Sequence, residues 1–217
     1  MSGCGTEHSF IFYKKENKLF LFGDNLCNQI GLDNNNISKL NSISNNIIEN
    51  FNLNFSKIKK FEIGGLHNLI LFENNNLFSF GRNDFGQCGI NNEKKENQNI
   101  LIPKKIKFFK NKKIINIFCG SICSLVLLEN NELFSFGFND NGELGIENND
   151  QNINKKINKY YEIYYFIPQK IKIKLTQPGN EKIIKIFTSS ISNHSFLLTK
   201  LININYKNES KIKKNLK

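Results

Sequence analysis

Short apolar runs separated by polar turns recur along the chain. The runs HSFIFY, HNLILF and CSLVLL each lead through a polar turn, such as ENNN or ENNE, into KLFLFG, NLFSFG and ELFSFG. Two apolar runs of strand length around a short Asn-containing turn are typical of a β-hairpin, because Asn accepts the positive φ of tight turns. Aromatic residues alternate along each second run and share one face of the predicted strand. They are Phe20 and Phe22, Phe78 and Phe80, and Phe134 and Phe136.

Each predicted hairpin leads into a Gly-x-Asn-x-x-Gly-x-x-Gly turn. LFSFGRNDFGQCGI (77–90) and LFSFGFNDNGELGI (133–146) carry this motif in full, and LFLFGDNLCNQIGL (19–32) has Asn28 at the middle glycine. Asn is the non-glycine residue that best tolerates a left-handed backbone, so this exchange is mild. We expect the motif glycines to serve sharp turns. They are Gly23, Gly31, Gly81, Gly86, Gly89, Gly137, Gly142 and Gly145.

Further strand-length segments follow each turn, among them IPKKIKFF and IPQKIKIKL, and then KKIINIFCG and EKIIKIFTS. Four short strands per unit, at a period above fifty residues, are typical of a β-propeller blade. We predict an all-β partial propeller of four-stranded antiparallel blades, with units near 4–62, 63–118 and 119–188, a partial unit at 189–200 and a basic polar tail at 201–217. The predicted core consists of Phe22, Phe80 and Phe136 with the runs Leu69–Phe72 and Leu125–Leu128.

The stretches CGTEHS, LFSFGRNDFGQCGI and LFSFGFNDNGELGI resemble the repeat of the regulator of chromosome condensation family. That repeat has a Cys-Gly-x-x-His-Ser start, an aromatic strand ending in Gly, and Gly-Gln-Leu-Gly. Departures are Asn28, Cys88 for Leu, Glu143 for Gln, and TSSISNHS at the fourth start. The resemblance implies a seven-bladed propeller, so about three units would form part of one, or would be completed by blades from another chain or by self-association. The start just before CGTEHS favours a piece of a longer propeller over a dimer.

Composition narrows the class of partner. The net charge of +11 and pI near 9.4 would suggest nucleic acid, but Arg82 is the single Arg in a chain biased towards Asn, Lys and Ile. Arg is the residue suited to bidentate contacts with phosphate and guanine. A solvated basic surface is therefore favoured, with nonspecific contact to DNA or chromatin left open. The five Cys, without a CxxC pair or signal peptide, favour reduced thiols in a soluble cytoplasmic or nuclear protein without membrane contact.

Candidate catalytic residues are not apparent. His8, His67 and His194 occupy the same place in their units, where the third unit has Cys123. A histidine that recurs in register with the fold is expected to make a buried structural hydrogen bond. The glycine motif lacks the features of a dinucleotide or phosphate loop. We predict no catalytic residue, no cofactor and no metal site.

Partner binding is predicted at the glycine turns, because loops on a rigid scaffold concentrate binding residues. The candidates are Arg82, Asp84, Phe85, Phe138 and Asp140. We expect Phe85 and Phe138 to be exposed, with burial under a neighbouring blade as the alternative, while the two Asp also suit turns. The predicted function is a non-enzymatic scaffold for protein–protein interaction. The alternative that the resemblance implies is guanine-nucleotide exchange on a Ran-type small GTPase, with chromatin association.

Overall fold

The computed structural model describes residues 1–16, 18–31, 57–91, 99–146, 155–157, 162–173, 181–188 and 195–201. His194 and the predicted tail beyond Leu201 lie outside these residues. The regular structure of the described chain is β-strand, apart from short 3-10 turns such as Lys107–Phe109, so the all-β prediction is confirmed. The strands are β1 (Ser2–Cys4), β2 (His8–Tyr13), β3 (Lys18–Gly23), β4 (Ile58–Ile63), β5 (His67–Phe72), β6 (Leu77–Gly81), β7 (Ile100–Lys105), β8 (Ile114–Cys119), β9 (Cys123–Leu128), β10 (Leu133–Phe138), β11 (Lys156–Ile157), β12 (Ile163–Lys170), β13 (Glu181–Thr188) and β14 (Ser195–Leu201).

The strands form four antiparallel sheets that follow one another along the chain. Their orders are β1-β2-β3, β4-β5-β6-β7, β8-β9-β10-β12 with β11 beside β12, and β13-β14. The second and third sheets show the predicted blade of four antiparallel strands. Sheets and sequence units are offset by one strand, because β4 ends the unit near 4–62 but pairs with β5 of the next unit. Each sequence unit therefore contributes to two sheets and links them covalently.

The turns have the backbone that the motif predicts. All eight predicted turn glycines have positive φ, and Asn28 has φ 61° at the position where the other units have glycine. Position 86 also has no room for a side chain, since a Cβ there would lie 2.5 Å from the carbonyl oxygen of Tyr165. The motif glycines are thus confirmed as turn residues.

The core lies between consecutive sheets. Phe80 and Phe136 are fully buried, and the runs Leu69–Phe72 and Leu125–Leu128 are buried throughout, as predicted. Phe22 was expected to join them, and this prediction is wrong, because its side chain is 42% exposed. Phe136 is covered by Gly89 of the preceding unit, whose Cβ position lies 2.9 Å from the ring. Phe22 belongs to the first sheet, which has no preceding sheet among the described residues.

The five cysteines are free thiols. Cys88, Cys119 and Cys123 are buried, and burial raises the pKa of Cys123 to about 12. Such thiols stay protonated at neutral pH and are poor nucleophiles. Among the described residues, no group of His, Cys, Asp and Glu is arranged to hold a metal ion, and no helix has the length and apolar character needed to cross a bilayer.

Candidate partner-binding surface

The glycine turns are held rigidly by their own polar side chains. Asn83 Oδ1 accepts the backbone N–H of Cys88 at 3.0 Å, and its amide donates to the carbonyl of Ile90 at 2.8 Å. Gln87 Oε1 accepts the N–H of Phe85 at 3.1 Å. The turns of the first and third units repeat the Asn bond to the N–H five residues on and the acidic or amide bond to the N–H two residues back. The remaining turn side chains are thereby presented on a fixed backbone.

Four of the five predicted binding residues lie in one cluster, together with Tyr164. Arg82 Nε donates to Asp84 at 2.9 Å, and the guanidinium lies 5.4 Å from the centroid of the Phe85 ring. The Phe85 ring makes edge contacts with Phe138, at a centroid distance of 5.1 Å, and with Tyr164 at 5.9 Å. We call Arg82, Asp84, Phe85, Phe138 and Tyr164 the turn cluster. It joins the turn of the second unit to strands β10 and β12 of the third sheet.

The five predicted binding residues differ in their exposure to solvent. Arg82 and Phe85 are half-buried, and Asp84 and Asp140 are exposed. The expected exposure of Phe138 is wrong, because its side chain is only 8% exposed. The reason is that β10 extends through Phe138, which pairs with Tyr164 of β12 and contacts Phe85. Whether these residues bind a partner stays a prediction.

Tyr164 was missed by the sequence analysis. It lies in β12, in the segment EIYYFIPQK, whose only signal is the Ile-Pro pair shared with ILIPKK of β7. Burial raises the pKa of the Tyr164 phenol, so this side chain is neutral over the physiological range. Its ring also contacts Phe166 at 5.5 Å, which fixes its orientation.

The turn of the first unit continues the surface. Burial raises the pKa of the Cys27 thiol, and the nearby positive charge of Arg82 partly offsets this effect. Asp24 accepts from the Leu26 N–H at 2.9 Å and from the Gln29 amide at 2.8 Å, so it stabilises its own turn. Leu26 is 78% exposed and is the most exposed large apolar residue among those described. The first turn thus exposes an apolar side chain next to Cys27, whose thiol senses the charge of Arg82.

The histidines link consecutive sheets. His8 Nε2 lies 3.0 Å from Asn68 Oδ1, and the Asn68 amide donates to the carbonyl of Gln29 at 2.8 Å. In the next pair of sheets, His67 Nε2 lies 2.9 Å from Ser124 Oγ, which donates to the carbonyl of Gln87 at 2.8 Å. We call His8–Asn68–Gln29 and His67–Ser124–Gln87 the interface relays.

The chemistry of the relays assigns the histidine protons. Asn68 Oδ1 is an acceptor only, and the Ser124 hydroxyl proton is used towards Gln87, so Nε2 of each histidine is the donor. Desolvation by burial lowers the pKa of His8, and lowers that of His67 to about 3. Both rings are therefore neutral at physiological pH. The prediction of buried structural hydrogen bonds is confirmed for these two histidines.

Comparison with known proteins identifies the repeat. The profile described as the regulator of chromosome condensation (RCC1) repeat matches residues 74–127 and 130–198, and a second profile of the same description matches 58–87. The chain belongs to the RCC1 repeat family. The family accounts for the recurrence of the glycine turns and for the resemblance found in the sequence.

Individual relatives are longer than this chain. The rat probable E3 ubiquitin-protein ligase HERC4 is 29% identical over 74% of this chain, which covers 14% of that protein. The human X-linked retinitis pigmentosa GTPase regulator is 33% identical over 67% of this chain, which covers 13% of that protein. The crystal structure of Kap60 bound to yeast RCC1 (Prp20) contains a similar fold, with a TM-score of 0.71 and 23% identity over 91% of this chain and 41% of that chain. RCC1-repeat blades are therefore the fold of this chain.

Proposed function

We propose that this chain is a non-enzymatic scaffold that binds a protein partner through the turn cluster. The observation that supports the proposal is a half-exposed Phe85 ring held between the Arg82 guanidinium and the Tyr164 ring on a rigid turn. Arg, Tyr and Phe are enriched among the residues that dominate protein–protein binding. Binding should cost little side-chain conformational entropy, because ring contacts and turn hydrogen bonds already restrict the side chains of this surface.

The proposed surface combines apolar and charged contacts. Leu26 and Phe85 offer apolar area, and Arg82 and Asp84 offer one charge of each sign. The Arg82–Asp84 pair is partly exposed and is worth at most about 1 kcal/mol by itself, so either charge can change partners at low cost. A protein surface with an apolar centre and a mixed polar rim fits this arrangement.

A pair of matched charge reversals tests the proposal. Arg82→Glu changes the turn cluster, and Lys107→Glu makes the same charge change at an exposed site on the 3-10 turn. Tagged wild type and both variants are used to isolate bound proteins, which are quantified by mass spectrometry. We expect partners that are lost with Arg82→Glu and retained with Lys107→Glu, at equal melting temperatures. Equal partner sets for all three proteins would contradict the proposed surface.

Nucleotide exchange on a small GTPase is the second candidate. It is favoured by the relative whose name describes a GTPase regulator, and it needs only differential binding of two GTPase states. A Ran-type GTPase loaded with fluorescent GDP is mixed with the chain, and nucleotide release is followed. Release at the rate of the GTPase alone is expected for a scaffold. Acceleration by orders of magnitude would replace the scaffold proposal with exchange.

A further inference from the structure

The hairpins of the first three sheets lie at the end of the strands that is remote from the glycine turns. Strands β2, β5 and β9 start beside the glycine turns and run to this end, where the hairpins lead into β3, β6 and β10. Strands β7 and β12 also finish here, and β4 and β8 begin here. We call this part of the molecule the hairpin end. It consists of residues 13–18, 57–59, 73–76, 104–113, 129–132 and 170–172.

The hairpin ends of consecutive sheets lie side by side. Lys14 of the first hairpin pairs with Glu73 of the second at 3.2 Å. Between the second and third sheets, the Asn75 side chain accepts the Ile114 N–H at 2.8 Å. The three hairpin ends therefore form one continuous surface.

The two ends of the sheets carry opposite net charges. The hairpin end contains thirteen Lys, four Glu and neither Arg nor Asp, a net charge of +9. The glycine-turn end contains six acidic and three basic residues, a net charge of −3. It consists of residues 5–7, 24–31, 64–66, 82–91, 120–122, 138–146, 155–157 and 162–164. A strand of six residues separates the ends by about 20 Å, more than twice the Debye length at physiological ionic strength. They therefore act as separate electrostatic surfaces.

The four Glu of the hairpin end do not neutralise its lysines. Each is already paired with one lysine: Glu16 with Lys18, Glu73 with Lys14, Glu129 with Lys113 and Glu132 with Lys170. Of the thirteen lysine charges, nine are therefore in excess of the four carboxylates. The excess is densest in the segment KKIKFFK, where the buried Ile106 and Phe109 anchor a backbone with four exposed lysines. These are Lys104, Lys105, Lys107 and Lys110.

Exposed apolar side chains lie among these lysines. Tyr13, which precedes Lys14, is 53% exposed, and its ring makes an edge contact with Phe20 at 6.0 Å. Ile115, two residues after Lys113, is 42% exposed. Tyr is enriched where a protein meets lipid headgroups, and apolar side chains add to binding at a bilayer interface. Binding to the phosphates of a nucleic-acid duplex depends on charge alone, and base recognition favours Arg, which this end lacks.

We propose that the hairpin end is a docking surface for an anionic lipid bilayer, held by its excess lysines and by Tyr13. Lysines close to acidic headgroups each contribute to reversible binding, and the exposed apolar side chains add to it. The sequence analysis favoured a solvated basic surface without membrane contact, because it could not show that the lysines share one end of the sheets. Strand β14 also finishes at this end, and the sequence after Leu201 contains five Lys and one Glu.

The inference does not rest on the proposed function. The turn cluster lies at the opposite end of the sheets, so a bilayer bound at the hairpin end leaves it facing the water. Lys107→Glu remains a suitable control for the turn cluster, because it changes only the hairpin end. A protein partner and a bilayer could therefore be bound at the same time.

Vesicle co-sedimentation of the full chain tests the proposal. The vesicles consist of phosphatidylcholine alone or of an equal mixture of phosphatidylcholine and phosphatidylserine, at low and at high salt. Wild type is compared with Lys104→Gln/Lys105→Gln and with Tyr13→Ser. The matched control is Lys155→Gln/Lys156→Gln, which changes two adjacent lysines at the glycine-turn end. Melting temperatures equal to that of wild type confirm that the variants are folded.

We expect binding to the vesicles that contain phosphatidylserine, with weaker binding at high salt, because salt screens exposed charges. Lys104→Gln/Lys105→Gln should lower the partition coefficient about 25-fold, at about fivefold per lysine. Lys155→Gln/Lys156→Gln should leave it unchanged, because these lysines lie beyond the reach of the bilayer charge. Tyr13→Ser should lower it at both salt concentrations, because its contribution is apolar.

Three results would overturn the proposal. The first is a lack of binding to phosphatidylserine vesicles, or equal binding to phosphatidylcholine alone. The second is an equal effect of the two lysine pairs. The third comes from a competitor, a DNA duplex of mixed sequence added at the same phosphate concentration as the vesicles: displacement of the chain from the vesicles would assign the hairpin end to nucleic acid.

Discussion

Acidification should destabilise the protein through His67, because this ring is neutral and fully buried in the folded state. Its folded pKa is about 3, and its ordinary value is 6.5. A histidine whose pKa falls on folding contributes stability that is complete above the unfolded pKa and is lost as the pH falls towards the folded pKa. The unfolded chain binds the extra proton throughout this window. The stability that His67 contributes therefore declines as the pH falls through 6.5 towards 3.

The size of the effect follows from proton linkage. Between pH 7.5 and pH 5.5, a group with an unfolded pKa of 6.5 and a folded pKa near 3 loses about 1.4 kcal/mol of stability. The loss over this interval is set almost entirely by the unfolded pKa, since the folded pKa lies far below pH 5.5. His8, whose pKa is also lowered by burial, adds to the loss. Glu62, whose pKa is raised by burial, opposes it at the acidic end.

His67→Gln isolates the contribution of His67. The Gln amide can replace Nε2 as the donor to Ser124 Oγ, and it does not titrate. Free energies of unfolding from urea titrations at pH 7.5 and pH 5.5 are compared for wild type and variant. We expect the variant to lose about 1.4 kcal/mol less than wild type over this interval. Equal losses in the two proteins would refute the assignment of a buried neutral His67.

Two further substitutions test the contacts between sheets, each measured by urea unfolding. Gly64→Ala should lower the free energy of unfolding by about 1–3 kcal/mol through overpacking, because its Cβ would lie 2.1 Å from the His67 ring. Its control is Gly142→Ala, whose Cβ meets open space and which should cost only about 1–2 kcal/mol of backbone strain. A loss for Gly64→Ala that is well below that for Gly142→Ala would contradict the close packing of the histidine. Asn75→Gly should lower the free energy of unfolding by about 1–3 kcal/mol, because the Asn75 side chain accepts the Ile114 N–H at 2.8 Å between the second and third sheets. Its control is Asn111→Gly, at an exposed site with similar φ, which should be nearly neutral. Equal effects at the two Asn would exclude this cross-sheet bond as a stabilising contact.

The sequence was sufficient to predict the blade, its turns and most of its core, because these depend on periodicity within one unit. Strand alternation buried Phe80 and Phe136, and the glycine motif predicted positive φ even at Asn28. The errors concern contacts between units. Phe22 has the same place in its unit as Phe80, but burial at this place is provided by the preceding unit. Phe138 is buried by β12, which lies far along the chain and carries little repeat signal.

The interface relays are a second case in which a contact between units could not be predicted from the sequence of one unit. The polar residue that follows each histidine position, Asn68 or Ser124, is visible in the sequence, but its partner lies in another unit. A single unit therefore does not reveal that the histidine of one blade binds the polar residue of the next. The turn cluster also required the structure, because Tyr164 reaches Phe85 only when two sheets are stacked.

In the third unit, the relay positions still stabilise their own turn, although they lack the histidine that binds the next sheet in the other units. Cys123 replaces the histidine and Glu143 replaces the glutamine, yet the Glu143 carboxylate still accepts the Asn141 N–H at 2.9 Å and so keeps the turn. The fourth sheet is still stacked on this unit, through Ile183 and Ile186 and through the Asn131 side chain, which accepts the Ile183 N–H at 2.9 Å. Among the described residues, the contacts that stack the fourth sheet are therefore apolar burial and the hydrogen bond of the hairpin Asn. The relay adds a directional hydrogen bond that forms only when the next blade carries a matching polar residue, as Asn68 and Ser124 do.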